Sequence, residues 1–483
     1  MVHPSEDHGH APSGLGARAG DQPHQVARGC QVLRDGGRGE ALPLSRASEP
    51  SAAFAFGDWQ GLTASFVRAA RESPFVAAQL ERSGLSAEQA VANPPAWSRL
   101  RPTRKHDLIA DQDGAPPYGS RRCVPAPEIS LVVESSGSTG KGREVHYLSR
   151  DDLGRSSRAW ARYLEEMGIG AEDVVALTFP IGMAGGGVRH WYAYVETGAK
   201  VLRVGGLSSE RKLDAIRYYG ATTLVATPAY VDRLAVICAE SGCPPGELGI
   251  RRLVVATQSL SAEWIEETER LWGAKLFEWY GTSAGIAAFC CRLGMAADGR
   301  RGTLHWNPAV AAQEVVDPRS GDPVADGQRG ELLGTPLINE AEPLFRVSTG
   351  DEVRFVAPRS CPCGSNWPGI ESGTVRRLDA MFKVKGINVW PAQVEATLLE
   401  DREVLDYRVR IYQDGGKRER VRLEVLARPG HGDELAERVS RTLQGETGIS
   451  FEVVANHDRE RWSQATAGEA AKASRWVDER IGT

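Results

Sequence analysis

The stretch Glu134-Ser-Ser-Gly-Ser-Thr-Gly-Lys-Gly-Arg-Glu-Val-His-Tyr-Leu148 sets hydroxyls, glycines and a lysine between two strand-like runs. Ser135, Ser136, Ser138 and Thr139 can donate to phosphate oxygens, Gly137 and Gly140 allow close backbone approach, and Lys141 supplies charge. A Walker loop is excluded: Ser135 stands where it needs a glycine, and Gly142 where it needs a hydroxyl after the lysine. That motif also opens directly into a helix, whereas residues 129–133 and 144–148 both read as strands. The stretch is a phosphate-holding loop within a strand pair.

Downstream the pattern alternates. A helix is expected over 151–167, then strand 174–179, helix 188–197, strand 200–204, helix 210–219, strand 222–226, helix 230–241, strand 253–256, helix 262–272 and strand 275–279. Such alternation predicts a parallel, helix-covered sheet, with ligands at the carboxyl ends of its strands. The loops there carry Gly182-Met-Ala-Gly-Gly-Gly187, Gln258-Ser259 and Trp279-Tyr-Gly-Thr-Ser-Ala-Gly285. Their small residues predict a roomy, flat slot, suited to an aryl or cyclic ligand, with Trp279 read as a core aromatic.

Beyond Gly299 strands joined by turns, such as 313–317 and 330–335, predict an antiparallel lobe. After residues 375–379 come a hairpin turning near Gly386, a helix over 392–400, strands 407–412 and 421–426, a helix over 434–444 and a strand over 450–454. The expected fold is therefore α/β: a large N-terminal domain of helix-covered sheets plus an antiparallel lobe (61–376), and a small α+β C-terminal domain (377–483). Residues 1–60, rich in Gly, Pro, Ser, Ala and His, read as a disordered extension. Upstream of the loop, Ser73-Pro74 and Gly84 bracket a helix, and Ser86 with Gln89 forms a capping box for the next.

The 483 residues, 41% hydrophobic and 25% charged, suit a soluble globular chain. A net charge of −5 leaves no footprint for nucleic acid. No apolar run reaches membrane-spanning length and the N-terminus lacks an apolar signal core, so the expected location is the cytoplasm. The eight cysteines are too sparse for a disulfide scaffold and suit a reducing compartment.

Ser348-Thr-Gly-Asp351, followed by Arg377, places an acid on a glycine turn, able to accept both ribose hydroxyls with an arginine completing the clamp. Cys290-Cys291, His305 and Cys361-Pro-Cys363-Gly offer soft donors for a tetrahedral structural zinc. Adjacent cysteines do not easily both ligate, so Cys291, His305, Cys361 and Cys363 form the expected set, with Cys290 as alternate.

Taken in order, Ser135–Lys141, Tyr280-Gly-Thr-Ser283, Thr349-Gly-Asp351, Arg377-Leu-Asp379 and Met381-Phe-Lys-Val-Lys-Gly-Ile-Asn-Val-Trp-Pro391 resemble the adenylate-forming enzymes, in their phenylacetate-CoA ligase branch. The resemblance runs from about residue 65 to the end. It implies a ligase that uses ATP and Mg2+ to join a carboxylic acid to AMP, expels pyrophosphate, and then swings its C-terminal domain so that coenzyme A attacks. A carrier-protein phosphopantetheine thiol or an amine are alternative acceptors, and homodimers are common among relatives.

By the same resemblance Ser135–Lys141 hold the departing phosphates, Tyr280, Gly281 and Thr282 border adenine and α-phosphate, and Asp351 and Arg377 hold ribose. Asp379-Ala380 is the hinge, Gly386 lies on the hairpin presented for the thiol step, His190 faces the substrate carboxylate, and Lys472 drives adenylation. One departure stands out: Ala284 occupies the place of a magnesium-associated glutamate. Its loss predicts weaker metal positioning and slower adenylation, and raises the alternative of a protein that binds adenylate without catalysis.

Overall fold

The computed structural model describes residues 59–134, 144–179, 181–183, 185–256, 259–297, 299–378, 381–399, 401–414, 418–459, 461–462 and 475–480. The extension 1–58, the phosphate loop Ser135–Lys141, Gln258, the hinge Asp379-Ala380 and Lys472 therefore lie outside the described residues.

Five parallel strands stand side by side in the order Lys200–Arg203, Val174–Leu177, Thr223–Ala226, Arg252–Ala256 and Lys275–Gly281. Their central residues, such as Leu224, Val225, Leu253 and Val254, are fully buried, as expected for strands covered on both faces. Helices between them start and stop on local signals. Ser261 accepts from the Trp264 N–H to open Ala262–Trp272, and Gly273 closes that helix in the left-handed region. The expected helix and strand alternation is present, with ends within a few residues.

The antiparallel strands are not a detached lobe. Lys275–Gly281 pairs antiparallel with Ala287–Cys290, and the ladder continues through Thr303–His305, Gly369–Glu371, Val347–Val356, Arg329–Pro336 and Ala311–Val316. One hydrogen-bonded sheet thus carries both kinds of pairing. Arg376–Arg377 adds to the side of Val347–Val356, with Asp351 opposite Arg377.

Residues after Val384 build a second hydrophobic core. It lies between helices Pro391–Leu398 and Asp433–Thr447 and a four-stranded sheet ordered Glu452–Asn456, Glu419–Ala427, Val404–Gln413, Trp476–Asp478. Polar links join it to the large sheet: Arg459 to Asp232 and Glu267, each at 3.1 Å, and Ser261 Oγ to the Leu405 carbonyl at 3.1 Å. No helix among the described residues is long and apolar enough to cross a membrane.

The strands flanking the phosphate loop, Ile129–Glu134 and Val145–Ser149, pair with each other and are pinned by a buried ionic network. Glu342 accepts from Arg121 Nε at 2.6 Å and lies 3.0 Å from His146 Nδ1. The other imidazole nitrogen meets Glu144 at 3.1 Å, and Glu144 meets Lys105 at 3.1 Å. Arg121, His146 and Glu342 are all at most 1% exposed.

Burial alone would push the His146 ring down, but Glu342 and Glu144 outweigh it and hold the ring up at about 9. The charged imidazolium therefore stabilises the fold fully below its unfolded value near 6.5, and that contribution is lost as pH rises through 9. We expect unfolding free energy to fall by on the order of 3 kcal/mol between pH 6.5 and 9.5. Urea titrations across that range check it, and a His146→Gln variant should show a flatter profile.

Candidate nucleotide and acyl site

At the carboxyl end of Lys275–Gly281 the Tyr280 hydroxyl donates to Asp351 Oδ2 at 2.6 Å. Arg377 Nη1 reaches the other carboxylate oxygen and the Thr349 carbonyl, both at 3.2 Å. Sheet register brings the arginine opposite the acid, and the left-handed Gly350 between Thr349 and Asp351 lets the strand bend there. Three residues singled out from sequence, Tyr280, Asp351 and Arg377, thus form one cluster. Burial pushes the Tyr280 phenol far up, so it stays a neutral donor.

Gly281 and Thr282 continue from that cluster. Thr282 N donates to the Ile286 carbonyl at 2.9 Å and its Oγ1 accepts from Ile286 N at 3.3 Å, closing the turn that carries Ala284. A Cβ on Gly281 would lie 2.7 Å from Trp279 Cζ3, and one on Gly186 would lie 3.4 Å from Trp279 Cη2. The expected open slot is corrected here. The room left by these glycines is filled by the Trp279 indole.

His190 lies behind it, fully buried, with its ring 3.8 Å from Trp279 and flanked by Trp160, Tyr194 and Phe289. Neither ring nitrogen has a hydrogen-bond partner among the described residues. Burial pushes the ring down to about 3, so it is neutral. In this arrangement the indole separates His190 from the Tyr280 end of the site.

The turn at Ala284 holds a cation that the sequence did not single out. Arg189, 4% exposed, donates from Nη2 to the Ser283 carbonyl at 3.3 Å, and a Cβ on Gly285 would stand 2.9 Å from its Nη1. Its Nε has no partner, and burial pushes its guanidinium down to about 10. No sequence signal marks Arg189, because its neighbours are about 95 residues away along the chain. A magnesium-holding carboxylate at position 284 does not fit what stands there, an alanine beside an arginine.

Gly386 sits left-handed in the turn between Phe382–Val384 and Ile387–Val389. Lys385 N–H bonds Glu419 of the second core, and no described contact joins this turn to the Asp351 cluster.

Cys291, His305, Cys361 and Cys363 converge, their donor atoms within 4.8 Å of one another. His305 Nδ1 donates to the Trp367 carbonyl at 3.0 Å, which leaves Nε2 a lone pair facing Cys363 Sγ at 3.4 Å. Cys290 faces the other side of its strand, where its sulfur accepts from Glu278 N. The donor set, the fixed tautomer and the absence of an open fourth position fit a structural zinc of the Cys3His type.

Residues 46–334 match the AMP-binding enzyme family. The chain belongs to that family. A phenylacetate-coenzyme A ligase of Pseudomonas putida is 28% identical over 363 residues, 73% of this chain and 78% of the relative. One from Thermus thermophilus is 28% identical over 381 residues, covering 74% and 82%. Among solved structures, a 2-hydroxyisobutyryl-CoA ligase in the postadenylation state with 2-HIB-AMP superposes with a TM-score of 0.72 at 21% identity, covering 91% of this chain and 94% of that one. The same enzyme in its thioesterification state gives 0.62. In this AMP-binding enzyme the Tyr280–Asp351–Arg377 cluster therefore stands on the fold of an adenylate-forming ligase.

Gly281→Ala should destabilise by about 1–3 kcal/mol, because the new methyl group overlaps the indole and neither can retreat without repacking. Trp279→Leu made in the same chain should recover most of that loss, giving a favourable coupling in a double-mutant cycle read by denaturant unfolding. Additive losses would show that the contact is unimportant.

Proposed function

We propose that the chain is an ATP-dependent ligase that joins a compact aryl or cyclic carboxylic acid to coenzyme A through an acyl adenylate. The Tyr280–Asp351–Arg377 cluster at the strand ends is the observation that carries this reading. A buried carboxylate positioned by a neutral phenol and a half-exposed guanidinium is an acceptor of the kind that holds the two hydroxyls of a ribose. The names of its relatives support an aromatic acid and coenzyme A as the acceptor.

In the first step a carboxylate oxygen attacks the α-phosphorus of ATP, the bond to the β-phosphate breaks, and pyrophosphate leaves. Hydroxyls and backbone of Ser135–Lys141 hold the leaving phosphates, and Thr282 and Gly281 line the α-phosphate. Lys472 supplies positive charge where the two anions meet. In the second step the thiol sulfur attacks the acyl carbon, its proton is lost to solvent, and AMP leaves. Mg2+ would be carried by the nucleotide's phosphates rather than by a side chain at position 284.

Trp279 sets the depth of the acyl slot, with the acid's flat group against the indole and neutral His190 beneath it. The segment 377–483 acts as a small domain that turns about Asp379-Ala380 to bring Gly386 to the thiol step. Its ion pairs from Arg459 to Asp232 and Glu267, on helices that cover the large sheet, suit a part that moves. A zinc held by Cys291, His305, Cys361 and Cys363 ties Gly369–Glu371 and its preceding loop to Thr303–His305. The setting is cytoplasmic, where these thiols stay reduced.

A second reading, a protein that binds adenylate without forming it, draws on Ala284 and the adjoining Arg189. ATP–pyrophosphate exchange across a panel of aromatic and cyclic acids separates the two: turnover with any acid removes the second reading. With such an acid, Lys472→Ala should lower exchange by about 100-fold or more while sparing thioester formation from supplied adenylate. Equal loss of both steps would sink the role of Lys472.

Purified protein should carry about one zinc per chain by plasma mass spectrometry, since four protein ligands hold a structural zinc tightly. Cys361→Ser should lose the metal and unfold at lower temperature.

A further inference from the structure

On the side of the sheet away from the Asp351 cluster lies a cavity of about 170 Å³, lined by Arg301, Arg329, Arg354 and Arg376 with Glu371. The strand Arg376–Arg377 explains the pairing of sites. Neighbouring side chains on a strand point to opposite faces, so Arg377 goes to Asp351 while Arg376 goes inward. Leu399, at the end of the helix Pro391–Leu398, closes the cavity from the second core.

The charges do not balance. Arg329 lies 3.5 Å from Glu352, and Arg354 lies 3.4 Å from Glu371. No carboxylate lies within ion-pair distance of Arg301 or Arg376 among the described residues. Four guanidinium groups face Glu352 and Glu371, with Glu263 acting on Arg301 from beyond ion-pair distance, so positive charge is in excess around the cavity. Glu278, behind Gly373, adds little, since burial pushes its carboxyl up to about 8 and its Oε2 already accepts the Gly373 N–H at 2.6 Å.

Arg376 is 8% exposed and its Nε has no hydrogen-bond partner among the described residues. Burial, and after it the nearby Arg376, push the Arg329 guanidinium down. Gathering like charges in a partly desolvated space is unfavourable unless something compensates. The backbone also makes room for the gathering: a Cβ on Gly373 would lie 2.6 Å from Arg301 Nη1.

We propose that this cavity is an anion site for a dianionic phosphate group, separate from the nucleotide site and closed by the C-terminal domain. A tetrahedral phosphate answers an excess of positive charge, and guanidinium forks suit its oxygens. Its sources are free phosphate or pyrophosphate on one hand and the phosphomonoester of coenzyme A on the other. Binding there draws Leu399 toward the sheet, so the anion would bias where the small domain rests.

The test is thermal unfolding of the full chain with inorganic phosphate. The wild type should gain stability saturably. Arg354→Gln, at the more exposed rim, should raise the half-saturating concentration by about tenfold, equivalent to one charge-assisted contact. Arg376→Gln should unfold at a higher temperature than the wild type without phosphate, because repulsion is relieved, and should respond less when phosphate is added. Should Arg376→Gln fail to fold, the Arg354→Gln arm decides. No response in the wild type, or equal responses in wild type and variants, overturns the site, the latter because phosphate then acts elsewhere, such as at Ser135–Lys141. If coenzyme A displaces phosphate and its 3′-dephospho form does not, the source is the coenzyme; if neither displaces it, the source is free phosphate, and both results support the site. The readout needs no turnover, so it stands or falls apart from the ligase reading.

Discussion

The Glu342 carboxylate is the point on which the nucleotide side of this molecule depends. It is buried, yet accepts from Arg121, His146 and the Tyr147 N–H, and so neutralises charges brought from two parts of the chain. A buried carboxylate left with fewer partners would be expensive, so the network forms whole or not at all. Through it the strand Val145–Ser149 is fixed against the segment after Arg329–Pro336. Asp152 reinforces the same join by accepting from the Glu340 and Ala341 amides while it closes the capping box of helix Arg150–Glu166. The strand that follows residues 135–143 is held to the large sheet as a result.

From that frame the charge layout of the sheet follows. One face gathers an acid, a phenol and an arginine at Asp351, Tyr280 and Arg377, with their charges paired. The opposite face gathers arginines with too few acids. Two adjacent residues on one short strand, Arg376 and Arg377, serve the two faces, so a shift of that strand would disturb both at once. The acyl side is built differently, from aromatic packing. Trp279 rests on His190 and fills the room left by Gly186 and Gly281.

Much of this was legible in the chain. The Ser73 cap, the Gly84 stop, the Ser86–Gln89 capping box and the alternation from 151 to 279 are local signals, and local physics fixed those elements. The Asp351 and Arg377 pairing was legible through motif order. The ion network of Arg121, His146 and Glu342, Arg189 beside Ala284 and the arginine cavity were not, because their partners are far apart in sequence and meet only through strand register.

Motif spacing and periodicity in this chain determine a helix-covered parallel sheet, a set of antiparallel strands, a second α+β core and the pairing of Asp351 with Arg377. Those features rest on short-range preferences and on the period of apolar residues, which a linear reading contains. Tertiary structure alone decided that the two kinds of strand share one sheet, that Cys291 rather than Cys290 joins His305, Cys361 and Cys363, and that the glycine slot is filled by Trp279. Each of these depends on which face of a strand a side chain takes and on what another segment, tens or hundreds of residues away, places opposite it.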